Sequence, residues 1–151
     1  MDNIIHHTVK LACSSQRAFE MFTVNRLVRT WLAPKAEIKP VVGGQYHVYW
    51  DKSDPKNDST YGCKITALEP GALLALEWKS PSQFKRFMND ADPKTHVAVF
   101  FYPVSTQQTK VHLVHTGWRS SDEWEEARLW FDVAWKNALH TLQQKCDNGT
   151  G

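Results

Sequence analysis

The last thirty residues constrain the fold more than any other stretch. Ala127, Phe131, Ala134, Ala138 and Leu142 recur at three- and four-residue steps, flanked by Trp130, Trp135 and Leu139. Ser120 and Glu123 have the spacing of a capping box. Asp122, Glu123, Glu125 and Glu126 crowd the first two turns, where the positive end of the helix dipole favours acids. A helix over Ser121–Lys145 would be about 37 Å long at 1.5 Å per residue, long enough to lie across a whole sheet.

Most of what precedes it reads with period two. Ile4–Ala12 alternates as a strand. Ser14 and Ser15 offer an N-cap for a short helix carrying Ala18, Phe19, Met21 and Phe22, and a second short helical stretch from Asn25 to Trp31 stops before Pro34. Strands follow at Ala36–Lys39, Tyr46–Trp50 and Tyr61–Leu68. Leu73–Trp78 is the hairpin partner of the third across the turn Glu69-Pro70-Gly71. Ser80–Pro93 is a long connection with Phe84, Phe87 and Met88 in a local packed turn. Thr95–Val104 and Thr109–Trp118 form the last hairpin. This order predicts an α+β fold: a curved antiparallel sheet wrapped around the long C-terminal helix, with two short helices after the first strand plugging one end.

A chain of 151 residues has the size of one domain, placed here at residues 1–146 with a frayed tail at 147–151. The balance of 18 basic against 16 acidic residues gives +2, which provides no concentrated basic face for nucleic acid. No apolar run reaches the roughly 20 residues of a membrane span, and the N-terminal residues lack the pattern of a secretion signal. Three cysteines, none in a CxxC, point to a reduced, cytoplasmic setting.

Seven Trp, four Tyr and seven Phe can fill a large core or line a large cavity. Strand phase turns Tyr46, Val48 and Trp50, Leu76 and Trp78, Val99 and Phe101, and Leu113 and His115 toward the helix. With Trp31, Tyr61, Phe131 and Trp135 they form the expected wall of an apolar cavity between sheet and helix. His115 is the most notable inward polar residue and the single weak catalytic candidate; the competing reading is a hydrogen-bonded core histidine. Glu77, Tyr46 and Tyr61 are its candidate partners, but Glu77 falls in the opposite strand phase to Leu76 and Trp78 and is expected to face water. The other histidines lack metal-ligand spacing, so no metal and no cofactor is expected. Cys63 reads as a small buried residue. On the outer face of the last hairpin, Ala98, Phe100, Tyr102 and Val114 beside Trp118 suggest either a homodimer contact or a surface covered by the 80–93 connection.

The succession Trp31-Leu32-Ala33-Pro34, Val42-Gly43-Gly44-Gln45-Tyr46, Leu68-Glu69-Pro70-Gly71 with Leu74–Trp78, the strand ending His115-Thr116-Gly117-Trp118, and the helix with Trp135, Leu139 and Leu142 carries a resemblance over nearly the whole chain. It resembles the activator-of-Hsp90-ATPase-homologue branch of the START-related, birch-pollen-allergen-like (SRPBCC) superfamily. The resemblance implies the helix-grip fold with an internal cavity. The superfamily includes lipid and hormone carriers, cyclases and dehydratases, and ligand sensors, and fold alone does not choose among them. The expected function is binding of a small apolar or aromatic molecule. Two alternatives are a cyclase, dehydratase or hydrolase using an inward His or Tyr, and a co-chaperone-like interaction module.

Overall fold

The computed structural model describes residues 4–51, 53–54, 56–79 and 82–147, and for Ser82 the backbone only. Strand β1 (Ile5–Leu11) leads into helix α1 (Ser15–Thr23) and the single turn α2 (Asn25–Val28). Strands β2 (Lys35–Ile38), β3 (Tyr46–Tyr49), β4 (Ile65–Glu69) and β5 (Leu73–Trp78) follow. A 3-10 turn (Ser82–Phe84) runs into the short helix α3 (Lys85–Met88). The hairpin β6 (Thr95–Ser105) and β7 (Gln108–Thr116) precedes α4 (Asp122–Asp147).

Five strands pair antiparallel in the order β1-β7-β6-β5-β4, and β2-β3 is a separate hairpin. The two are stitched together where Tyr46 N donates to Cys63 O (3.0 Å) and Ile65 N to Gly44 O (2.8 Å). At this seam a side chain completes the ladder: Thr60 Oγ1 accepts from Val48 N (2.9 Å) and donates to Tyr46 O (2.7 Å). The curved sheet grips α4, and this is the helix-grip fold.

The period-two residues are the core. Leu74, Leu76, Trp78, Val97, Val99, Phe101, Val111, Leu113 and His115 are all buried, each apolar one contributing about 1.5–3 kcal/mol by leaving water. Helix α4 answers with Trp124, Ala127, Phe131, Trp135, Leu139, Leu142 and Cys146. The buried line of α4 therefore runs through Trp135 and Leu139, while Ala134 and Ala138 fall to its edge.

Several boundaries differ from the sequence reading. Helix α4 is capped by Ser121, whose Oγ accepts from Trp124 N (3.3 Å), one residue later than the Ser120 box. Asp147 belongs to the helix, and the rest of the expected tail lies outside the described residues. Strand β4 starts at Ile65, because Tyr61-Gly62 forms a turn with Gly62 at φ +91°. Gly71, at φ +74°, takes the left-handed position of the β4–β5 turn closed by Ala72 N to Glu69 O (2.9 Å).

The aromatic residues of the 80–93 connection turn to α4 instead of the outer face of the last hairpin. Phe84 packs edge-on against Trp130, and Phe87 against Trp124, both on α4. Trp118 also leaves that outer face. It is buried, and its Nε1 donates to His115 O (3.0 Å). Among the described residues no helix is long and apolar enough to cross a membrane.

Candidate functional site

The space between sheet and helix is occupied by side chains. Where Tyr46, Leu76, Trp78, Val99, Leu113 and Trp135 converge, the remaining void is about 10 Å³, at the lower limit of what one water needs. The expected internal chamber is closed because large rings meet there. Trp78 stands 5.0 Å from Trp135 and 6.3 Å from Tyr46, centroid to centroid.

The open volume lies at one end of the grip, where β3, β5 and the middle of α4 diverge. This cleft is about 320 Å³, at the lower end of the roughly 300–1,000 Å³ of small-molecule sites. Trp50 and Trp78, packed edge to face at 6.2 Å, form one wall. Trp130, Phe131 and Trp135 form the other. Ala134 and Ala138 supply the recess, since small side chains on one edge of the helix leave the room that neighbouring rings enclose. Leu32 adds an apolar contact, and Asp58, Lys79 and Gln83 bring polar groups to the rim. Trp50 is fixed by its Nε1 donating to Leu32 O (2.9 Å), and Lys79 Nζ donates to Tyr61 O (2.7 Å). Wider depressions beside β1 and around residues 39–47 are lined largely by lysine, histidine and glutamine or by loop backbone, and lack such an aromatic wall.

Of the thirteen residues expected at a cavity wall, four line the cleft: Trp50, Trp78, Phe131 and Trp135. Tyr46, Leu76, Val99 and Leu113 border only the closed interior void. Tyr46 is held there by its hydroxyl donating to Phe22 O (2.6 Å), and burial pushes its ionisation well above the usual phenol range. Trp31, Val48 and Phe101 are core. Trp31 Nε1 donates to Met21 O (2.7 Å), and Phe101 packs edge-on to Phe19 and Phe22. Tyr61 is the clear departure: it is 40% exposed in the turn before β4 and packs against His47. Leu32, Ala134 and Ala138 escaped the sequence reading as wall residues. The alanines carried a signal, small residues beside bulky ones on the same helix, but it reads equally as core spacing.

His115 is completely buried and does not line the cleft. Its ring contacts fix its tautomer. Trp135 Nε1, which can only donate, gives its hydrogen to His115 Nδ1 (3.1 Å). Nε2 therefore carries the ring proton and donates to Thr95 Oγ1 (3.0 Å), and Thr95 passes its own hydrogen to Trp78 O (3.2 Å). Burial drives the imidazole pKa down to about 3, with nearby His96 adding to the effect. With both nitrogens engaged and no opening to the cleft, this ring is not placed to take a proton from a bound molecule. Thr95 and Trp135 stand in the place of the candidate partners Tyr46 and Tyr61. The consequence is structural: the relay ties together Trp78 and Trp135, the two rings at the back of the cleft.

Among the described residues no group of three or more His, Cys, Asp or Glu side chains is arranged to hold a metal ion. His6 and His112 meet on the outer face of the sheet at 3.0 Å, Nε2 to Nδ1. Cys63 is fully buried, with its thiol pushed up to about 12 by burial.

The family model for activator of Hsp90 ATPase homolog 1-like proteins matches residues 12–146. The chain belongs to this family. No curated protein matches at the sequence level. Similar solved structures include protein MLL2253 from Mesorhizobium loti (21% identity, 95% of this chain and 97% of that one, TM-score 0.74). The Aha1 dimer from Colwellia psychrerythraea follows at 17% identity, 98% of each chain and TM-score 0.74. PFC0360w, an HSP90 activator from Plasmodium falciparum, is 20% identical over 92% of each chain, with TM-score 0.67. At these identities the likeness is one of fold.

Proposed function

We propose that this member of the family binds a small apolar or aromatic molecule in the cleft between β3, β5 and α4. The observation that carries the reading is the composition of that cleft: four indoles and Phe131 around a recess floored by two alanines, with charges confined to the rim. Such a surface rewards burial of a flat, apolar body at about 25 cal/mol per Å². Rim groups of both signs, Asp58 and Lys79, suit a guest with one polar edge. The closed relay at His115 gives no support to the alternative of an inward histidine acting in catalysis. The free thiols of Cys13, Cys63 and Cys146 fit work in a reducing compartment such as the cytoplasm.

The test is titration with a panel of planar aromatic probes, read by Trp fluorescence, on the natural chain and on Ala138→Phe. A filled recess should abolish binding while the circular dichroism spectrum stays unchanged. Silence from the whole panel, or equal binding by Ala138→Phe, overturns the proposal.

A second reading concerns partners. Leu129, Trp130 and Val133 stand exposed together on α4, and the Colwellia neighbour is described as a dimer. The exposed patch supports self-association through the outer side of α4, and the neighbour's description supports self-association without naming a surface. Light scattering at micromolar concentration tests it: a dimer that Val133→Asp dissociates supports it, and a monomer at all concentrations removes it.

A further inference from the structure

Cys13 and Cys146 are 133 residues apart in sequence, yet their sulfurs lie 4.0 Å apart. Cys13 sits between β1 and Ser14, the N-cap of α1, and its backbone carbonyl accepts from Thr109 Oγ1 (2.9 Å). Cys146 belongs to the last turn of α4. Strand β1 and helix α4 are tied to each other nearby, with Gln143 Nε2 donating to Lys10 O (3.1 Å), so the approach of the two thiols is a property of the fold. We propose that Cys13 and Cys146 are a redox modification site, oxidised reversibly to a disulfide that fastens the end of α4 to the start of α1.

Geometry and chemistry both favour this pair over the third cysteine. A disulfide needs the sulfurs at about 2.05 Å, so each must move about 1 Å, within reach of side-chain rotation. Cys13 keeps 9% exposure and Cys146 5%, whereas Cys63 is sealed at 0%. The Cys13 thiol is favoured toward thiolate, first by the Cys146 S–H that can serve its sulfur and then by the nearby Arg17 guanidinium. The Cys146 thiol is pushed the opposite way by the same contact. One sulfur is thus set to attack and the other to resolve.

With hydrogen peroxide as oxidant, the Cys13 thiolate attacks a peroxide oxygen. The O–O bond breaks, hydroxide leaves, and Cys13 becomes a sulfenic acid. The Cys146 sulfur then attacks the Cys13 sulfur. It loses its proton, the S–O bond breaks, and the oxygen leaves as water. The two thiols give up two electrons in all, and one peroxide becomes two waters. The new bond closes a loop over nearly the whole domain, and long loops lose the most freedom in the unfolded chain.

The experiment treats the purified full-length chain with hydrogen peroxide or dithiothreitol and counts free thiols. Three thiols should fall to one, the monomer should become two hydrogens lighter, and a non-reduced digest should join the Cys13 and Cys146 peptides. The denaturant midpoint should rise on oxidation and return with dithiothreitol. Cys63→Ser should still form the link, and Cys13→Ser should keep both its thiols. A count that stays at three, a link through Cys63 or between two chains, or Cys13 oxidised to a sulfinic acid without a link overturns the proposal. The wild-type count and digest decide the matter even if Cys13→Ser fails to fold.

Discussion

Replacing His115 with glutamine should remove one defined component of the protein's acid sensitivity. In the folded chain the imidazole is neutral, with its pKa held near 3; in the unfolded chain it returns to the ordinary value of about 6.5. Below pH 6.5 the unfolded state therefore binds a proton that the folded state refuses. Stability from the neutral ring is complete above pH 6.5 and is lost as pH falls toward 3. Each pH unit well inside that window costs about 1.4 kcal/mol, so roughly 2–3 kcal/mol disappears between neutral pH and pH 4.5. That is a large share of the ~5–15 kcal/mol that holds a typical domain.

Glutamine does not titrate, and its amide can accept from Trp135 and donate to Thr95. Urea denaturation read by Trp fluorescence at pH 7.5, 6.5, 5.5 and 4.5 gives the wild-type minus variant difference. His47, His96 and His112, also shifted downward by burial, titrate in both proteins and largely cancel. The difference should be flat from pH 7.5 to 6.5 and then fall by about 1.4 kcal/mol per unit. A difference that does not change down to pH 4.5 would refute the sealed neutral ring and the relay built on it.

Thr60→Val keeps the side-chain shape but removes the hydroxyl that joins Val48 N and Tyr46 O at the sheet seam. The orphaned groups should cost about 1–3 kcal/mol in chemical denaturation; a loss under ~0.5 kcal/mol would mean that the seam closes without it. Gly44→Ala places a methyl carbon 2.2 Å from Lys39 O and 2.9 Å from Val41 O. The backbone must shift, and thermal unfolding should show destabilisation of about 1–3 kcal/mol; an unchanged midpoint would show that the turn before β3 is free to open.

Some of this was written locally in the chain. The alternation Val97-Val99-Phe101 against Val111-Leu113-His115, and the three- and four-residue steps of α4, fix which faces meet. They place His115 inside on strand phase alone. Its partners were not legible, because Thr95 and Trp135 lie 20 residues away on either side and reach the ring only through strand pairing and the lie of the helix. The Cys13–Cys146 approach was hidden more deeply, across 133 residues. Tyr61 misled because its aromatic character suits a strand, while Gly62 beside it bends the backbone away. Interior against cleft could not be read either. A list of inward aromatics gives the volume available for filling but not where the rings leave a gap, and only packing decides that.

The location of that gap follows from the rings themselves. Trp78, Trp135 and Tyr46 converge at the centre of the grip and leave about 10 Å³, whereas Ala134 and Ala138, on the adjoining edge of α4, leave the recess that forms the cleft. The same two indoles that close the centre are the back of the cleft, and both are held by the His115–Thr95 relay: Trp135 through its ring nitrogen, Trp78 through its backbone carbonyl. A substitution that unseats His115 should therefore disturb the cleft without touching any group that lines it. Losing Thr95 Oγ1 should do the same from the other side, since the ring nitrogen it accepts from would be left without a partner in a place water does not reach. Core stability and cleft shape are, on this geometry, set by one hydrogen-bonded chain.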